Sequence, residues 1–248
     1  MLMKFIKSAL AAGFAAGILV AALQAVTTTP LILEAERYEG DMASAGEILV
    51  AHYARNQADA FVHLAHGTET HGTEQSWAPE DGFERTLSTS LATIGTTFGF
   101  AMILLAAMVL SNARITARTG LIWGAAAFAA TGLAPALGLS PELPGSAAAV
   151  LEDRQIWWIG TALATAAGLF LALRVSTPLA IIAGLALIAI PHAIGAPHAD
   201  GYISGVPSEL SGHFAAASLV VHAVTWAATG CIAGFVWERS GTPDAAAA

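Results

Sequence analysis

The sequence predicts an all-α integral membrane protein with about six transmembrane helices arranged as hairpins and both termini cytoplasmic. Three observations carry this. Of 248 residues, 56% are apolar and only 11% charged, against about 25% charged in an ordinary soluble domain. The missing charge is lost from long apolar runs, of the length that about 30 Å of hydrocarbon requires at about 1.5 Å per residue. Lysine and arginine crowd the short segments on one side of the resulting spans, as cytoplasmic segments do, whereas Arg37, Arg55, Arg85 and Arg154 fall on the much longer outer segments.

The spans are expected near residues 8–29, 87–110, 119–138, 156–173, 175–194 and 214–237. The first follows Lys4 and Lys7. Its apolar stretch from Phe5 to Val26 is longer than the 7–15 residues of a signal-peptide core, so it reads as a retained helix. Gly13 and Gly17 give it a small-residue face suited to helix packing. Residues 30–86 form an outer loop with eleven Asp or Glu and three Arg, with short surface helices expected between about 31 and 66. Residues 87–237 read as a five-helix membrane domain and 238–248 as a cytoplasmic tail.

With the N-terminus inside, Lys4, Lys7, Arg114, Arg118, Arg174 and Arg239 are cytoplasmic, while sixteen of the eighteen acids are outside. All eight histidines are also placed on or near the outer side. PELPGSAAA (Pro141–Ala149) resembles PSELSGHFAAA (Pro207–Ala217), allowing two inserted residues, and each precedes a descending helix. This predicts a possible parallel repeat of the third–fourth and fifth–sixth helices, a device known in transporters.

Several function classes are excluded or disfavoured. A net charge of -8 leaves no basic footprint for nucleic acid. Lysine occurs only at positions 4 and 7, so no P-loop can bind nucleotide. Cys231 is the single cysteine, so no disulfide forms within the chain. No span carries paired carboxylates, a nucleophile elbow or a zincin motif, which argues against an enzyme and against a resident cofactor.

Histidine is the chemistry that remains. Imidazole suits divalent cobalt, nickel, zinc and copper. His52, His63, His66 and His71 lie in the outer loop; His63 and His66 share a helix face if that stretch is helical, and Glu69 and Glu74 flank His71. His192, His198 and His213 cluster in sequence around the last outer turn, and His222 lies within the sixth span. An ionisable group in a span is a candidate functional group. Ser218, His222, Thr225 and Thr229 follow one helix face, and Thr93 and Thr96 belong to a hydroxyl stripe on the second helix. Such stripes either line a polar path or bond neighbouring helices. Trp157, Trp158 and Trp237 read as interfacial anchors.

WAPEDGFERT (Trp77–Thr86), PELPG with RQIWW (Pro141–Gly145, Arg154–Trp158), PHAIGAPH (Pro191–His198) and VPSEL with FAAAS (Val206–Leu210, Phe214–Ser218) occur in this order. Together they resemble the CbtA family, a proposed cobalt transporter subunit associated with cobalamin biosynthesis. The resemblance implies a multi-pass inner-membrane protein, cobalt(2+) as the transported ion, and a small single-span, His-rich CbtB-like partner. Family members often carry a dense histidine tract before the Trp-x-Pro motif; here it is thinned to His63, His66 and His71. The leading expectation is a cobalt uptake subunit that gathers metal at an acidic, His-rich periplasmic face. The alternative is a structural or partner-binding subunit of a membrane assembly.

Overall fold

The computed structural model describes residues 1–38, 79, 82–199 and 205–240, and these are helical apart from connecting segments, including the non-helical stretch 137–150. Helix α1 (Leu2–Val26) is followed by a break at Thr27 and by α2 (residues 28–38). Then come α3 (Phe83–Leu110), α4 (Ala117–Ala136), α5 (Leu151–Val175), α6 (Pro178–Ile194) and α7 (Ser208–Arg239). Five of these helices are long and apolar enough to cross a membrane, and α6 is a shorter apolar helix of 17 residues. The protein is a multi-pass helical membrane protein. His52, His63, His66 and His71 lie outside the described residues.

Helix ends differ from expectation where charged residues join a helix. Helix α1 starts at Leu2 and carries Lys4 and Lys7 in its first turns; the Lys4 ammonium lies 4.8 Å from the centre of the Trp237 ring, a cation–π contact that joins the two chain ends. Helix α5 starts at Leu151, with Glu152 and Asp153 in its first turn, where acids are favoured by the helix dipole. Helix α7 starts at Ser208 rather than near 214. Thr116 and Thr119 form a capping box at α4, and Thr177 caps α6 through the Ala180 N–H at 3.2 Å. Ser176 takes a left-handed conformation (φ 54) to reverse the chain between α5 and α6. Helix α4 loosens into a π turn at Ala129–Leu133 just before Pro135, a residue that has no N–H to continue the ladder.

Helices α1, α3, α4 and α7 form one bundle, and the α5–α6 pair packs against the end of α4. Ala9 and Ala12 of α1, Leu104, Leu105 and Met108 of α3, and Trp226 and Ala233 of α7 are buried together at its centre. Hydrophobic drive is weak between helices in lipid, so contact depends on close packing, and glycine permits it here. Gly13 and Gly17 lie against the backbone of Phe98 and Ile94, as their spacing predicts. Gly168 meets Gly184 between α5 and α6. Between α4 and α7, Gly120 faces Gly230, Gly124 faces the carbonyl of Trp226, and Gly234 faces that of Thr116.

This pairing departs from the repeat expected in the sequence. Helix α4 packs along α7 and α5 along α6, whereas α6 and α7 have no substantial interface among the described residues. The two similar outer turns instead meet each other: Leu143 and Val206 are buried with Ala35 of α2. Arg85 forms an ion pair with Glu36, which ties α3 to α2 on the same face. At the opposite face the Arg174 guanidinium donates to the Ser111 carbonyl at 2.8 Å.

Thr97 joins α3 to α1. Its hydroxyl is buried and reaches the Gly13 carbonyl at 2.8 Å. Replacing Thr97 by the near-isosteric valine is expected to cost about 1 kcal/mol, the scale of an interhelical hydrogen bond in a membrane protein. Reversible unfolding in detergent measures it, and an unchanged midpoint would show that the hydroxyl serves only its own helix.

Candidate functional site

The described histidines fall in three environments. His192 is in the last turn of α6, one residue after Pro191. Its ring stands edge-on to Trp157, with centroids 5.9 Å apart, and its Nε2 is buried without a hydrogen-bond partner. Trp157 packs inward against Gly138 and donates its indole N–H to the Pro191 carbonyl at 3.3 Å. It is therefore a packing element, beyond the interfacial anchor expected. His198 and His213 are exposed, the first in the turn after Gly195 and the second near the start of α7. Among the described residues, no three His, Cys, Asp or Glu side chains gather to hold a metal ion.

His222 is the histidine built into the bundle. It lies fourteen residues after Ser208, roughly 21 Å along α7 at 1.5 Å per residue and deeper than the expected helix start implied. Its Nε2 accepts the Trp226 indole N–H at 2.8 Å, one turn away on the same helix. An indole nitrogen only donates, so Nε2 carries the lone pair and the neutral ring holds its proton on Nδ1. Trp226 is in turn stacked on Phe100 of α3, with centroids 4.1 Å apart and planes 7° off parallel. The π turn of α4 supplies the facing wall. Thr131 Oγ1 is 3.4 Å from His222 Nε2 and 2.8 Å from its own Ala127 carbonyl. Gly132 has no side chain, and a Cβ there would press on the Phe128 and His222 rings.

A cavity of about 790 Å³ leads from the outer turn to this histidine. Its walls include Glu142 of the turn, Arg154 and Trp158 of α5, and Ser218 of α7, with Thr131 and His222 at the deep end. The cavity lies where α5 and α7 both pack against α4 but, among the described residues, share no substantial interface. Arg154 and Glu142 form an ion pair at 2.6 Å within its lining.

The hydroxyls singled out by spacing do not share one surface. Ser218 lines the cavity. Thr225 is buried and donates to the Val221 carbonyl at 2.7 Å, while Thr229 is buried without a partner. Thr93 bonds Gln24 of α1 at 2.9 Å, and Thr96 is exposed on α3. Thr131, Glu142, Arg154 and Trp226 complete the cavity and its histidine. Of these, only Trp226 had a simple signal, its i+4 spacing from His222.

Long apolar helices joined by glycine-mediated contacts, with a partly polar cavity among them, define a multi-pass helical membrane protein. The chain belongs to the CbtA family, described as a probable cobalt transporter subunit, whose family model matches residues 2–238. No curated protein and no solved structure shows significant similarity to it.

Proposed function

We propose that this chain is the membrane-spanning part of a cobalt(2+) uptake system, taking metal from its acidic face through the cavity to His222. The carrying observation is that cavity, which is lined by Glu142 of the outer turn and by His222 of α7, while His192, His198 and His213 lie outside its lining. In this reading His52, His63, His66 and His71, with Glu69 and Glu74, collect metal ahead of the outer turn. His192, His198 and His213 receive it, and Ser218 of α7 lies along the way inward, while Thr225 and Thr229 are buried outside the cavity lining. The many outer acids raise the local cation concentration. The positive-inside rule supports a cytoplasmic basic face, and in this reading the chain sits in an inner membrane with its acidic face periplasmic. As a subunit it acts with a partner, for which a small single-span, His-rich CbtB-like protein fits. The ion is cargo, and no enzymatic step is assigned.

One observation favours the second reading, a structural or partner-binding subunit. Trp226 already occupies the lone pair of His222, and the described histidines are dispersed. Radioactive cobalt uptake in cells lacking other cobalt importers, with the partner co-expressed, separates the two. Wild-type uptake falling at least tenfold in His192→Ala plus His213→Ala, at matched membrane abundance, is the expected result. Uptake unchanged by the double replacement removes the outer-turn histidines from the path. Absence of uptake by the well-inserted wild-type pair supports the structural reading.

A further inference from the structure

We propose that the Glu142–Arg154 ion pair is the cation gate of the cavity, with Arg154 the resident counter-ion that an entering divalent cation must displace from Glu142. This rests on the cavity being the metal entry route. Glu142 is held in place by its neighbours: Pro141 precedes it, and Leu143 is buried against Ala35 and Val206. Its backbone is therefore anchored beside the cavity that Glu142 and His222 both line. Arg154 reaches it from the first turn of α5, and the Arg154 and Glu142 side chains are 27% and 28% exposed respectively.

Two features distinguish this pair from a simple structural tie. First, it is incompletely satisfied. The Arg154 Nε is buried and has no hydrogen-bond partner, whereas an arginine committed to a structural role is usually saturated by a planar, two-pronged contact. A partly buried charge with an unmet donor retains part of its desolvation penalty, which lowers the cost of exchanging partners. Second, its charges face the route itself. While the pair is closed, the Glu142 charge is cancelled and a dication in the cavity meets a guanidinium. Once the pair opens, the carboxylate offers a hard oxygen ligand to the cation, and the Gln155 side chain and Ser140 line the same space. Among the described residues no other Asp, Glu, Lys or Arg lines this cavity, so these two contribute its formal charge there.

The test is cobalt(2+) titration of the purified full chain in lipid nanodiscs by calorimetry. His52→Ala, His63→Ala, His66→Ala and His71→Ala are present throughout, so that the loop adds no sites. Against that background, Arg154→Gln is expected to bind cobalt(2+) at least tenfold more tightly. Arg154→Lys, which keeps the charge, should stay within about threefold, on the ordinary scale of tenfold per 1.4 kcal/mol. Adding Glu142→Gln to Arg154→Gln should abolish the gain. The proposal is overturned if Arg154→Gln binds no more tightly, if Arg154→Lys gains as much, or if the gain survives loss of the carboxylate. Should Arg154→Gln fail to fold, Glu142→Gln alone decides. It leaves the guanidinium uncompensated and should weaken binding at least tenfold, and unchanged binding overturns the gate. Uptake measured on the same variants separates the two ideas. A binding gain in a protein that never transports leaves the gate and removes the transport reading, while transport by the wild type with no binding gain does the reverse.

Discussion

Gly230→Leu is expected to abolish accumulation of folded protein in the membrane, whereas Gly95→Leu should leave it at the wild-type level. The two glycines are both in membrane helices but in opposite situations. A Cβ on Gly230 would fall on the carbonyl of Gly120, and one on Gly120 would fall on that of Gly230. Neither obstacle is the end of a flexible side chain; each is the backbone of a facing helix. A branched side chain can enter only if α4 moves off α7. That displacement also breaks the contacts of Gly124 with the Trp226 carbonyl and of Gly234 with that of Thr116. Overpacking alone costs about 1–3 kcal/mol, and parting the most extensive interface in the bundle adds to it, within a total stability of about 5–15 kcal/mol. At Gly95 nothing stands within 4 Å of an added Cβ. Leucine there gains helix propensity, at most about 1 kcal/mol. Membrane abundance and thermal unfolding in detergent check both. A Gly230→Leu protein as abundant and stable as the wild type would refute the close α4–α7 packing.

The same interface shows what the sequence could and could not reveal. Apolar run lengths found the membrane helices but not their ends, because hydrocarbon thickness acts on each segment alone while charged residues can extend a helix beyond it. The face formed by Gly13 and Gly17 was also legible, since it needs only i, i+4 spacing. Gly120 with Gly124 and Gly230 with Gly234 have the same spacing, yet nothing in either segment says that they face each other across about a hundred residues. The similarity of the two outer turns pointed to consecutive hairpins, but Leu143 and Val206 reflect a shared role in capping the outer face. For the candidate site, His222 stood out because a titratable group in a span is rare. The cavity beside it did not, because it lies where α5 and α7 share no substantial interface among the described residues and where α4 makes its π turn. Hydrophobic periodicity records which face of a helix is covered and not where two covered faces diverge.

His222→Ala is expected to reduce cobalt uptake at least tenfold, while Trp226→Phe should tighten cobalt(2+) binding about fivefold. The opposite signs follow from one hydrogen bond. The lone pair of His222 is on Nε2, and the Trp226 indole N–H occupies it at 2.8 Å. A metal binding that nitrogen must first displace the indole, at a net cost of about 1 kcal/mol, or roughly fivefold in affinity. Phenylalanine removes the donor and keeps a ring to stack on Phe100. The smaller ring leaves a void, and stability should fall by about 1–3 kcal/mol, so binding is compared at a temperature where both proteins are folded. If His222 and Trp226 serve only to hold α7 against its neighbours, both replacements lower stability and neither changes cobalt binding selectively. A selective gain in Trp226→Phe that disappears in the double replacement with His222→Ala therefore assigns the metal to that imidazole nitrogen. Equal cobalt binding by all four proteins would mean that the histidine is a hydrogen-bonded packing residue, and the path inward must then avoid it.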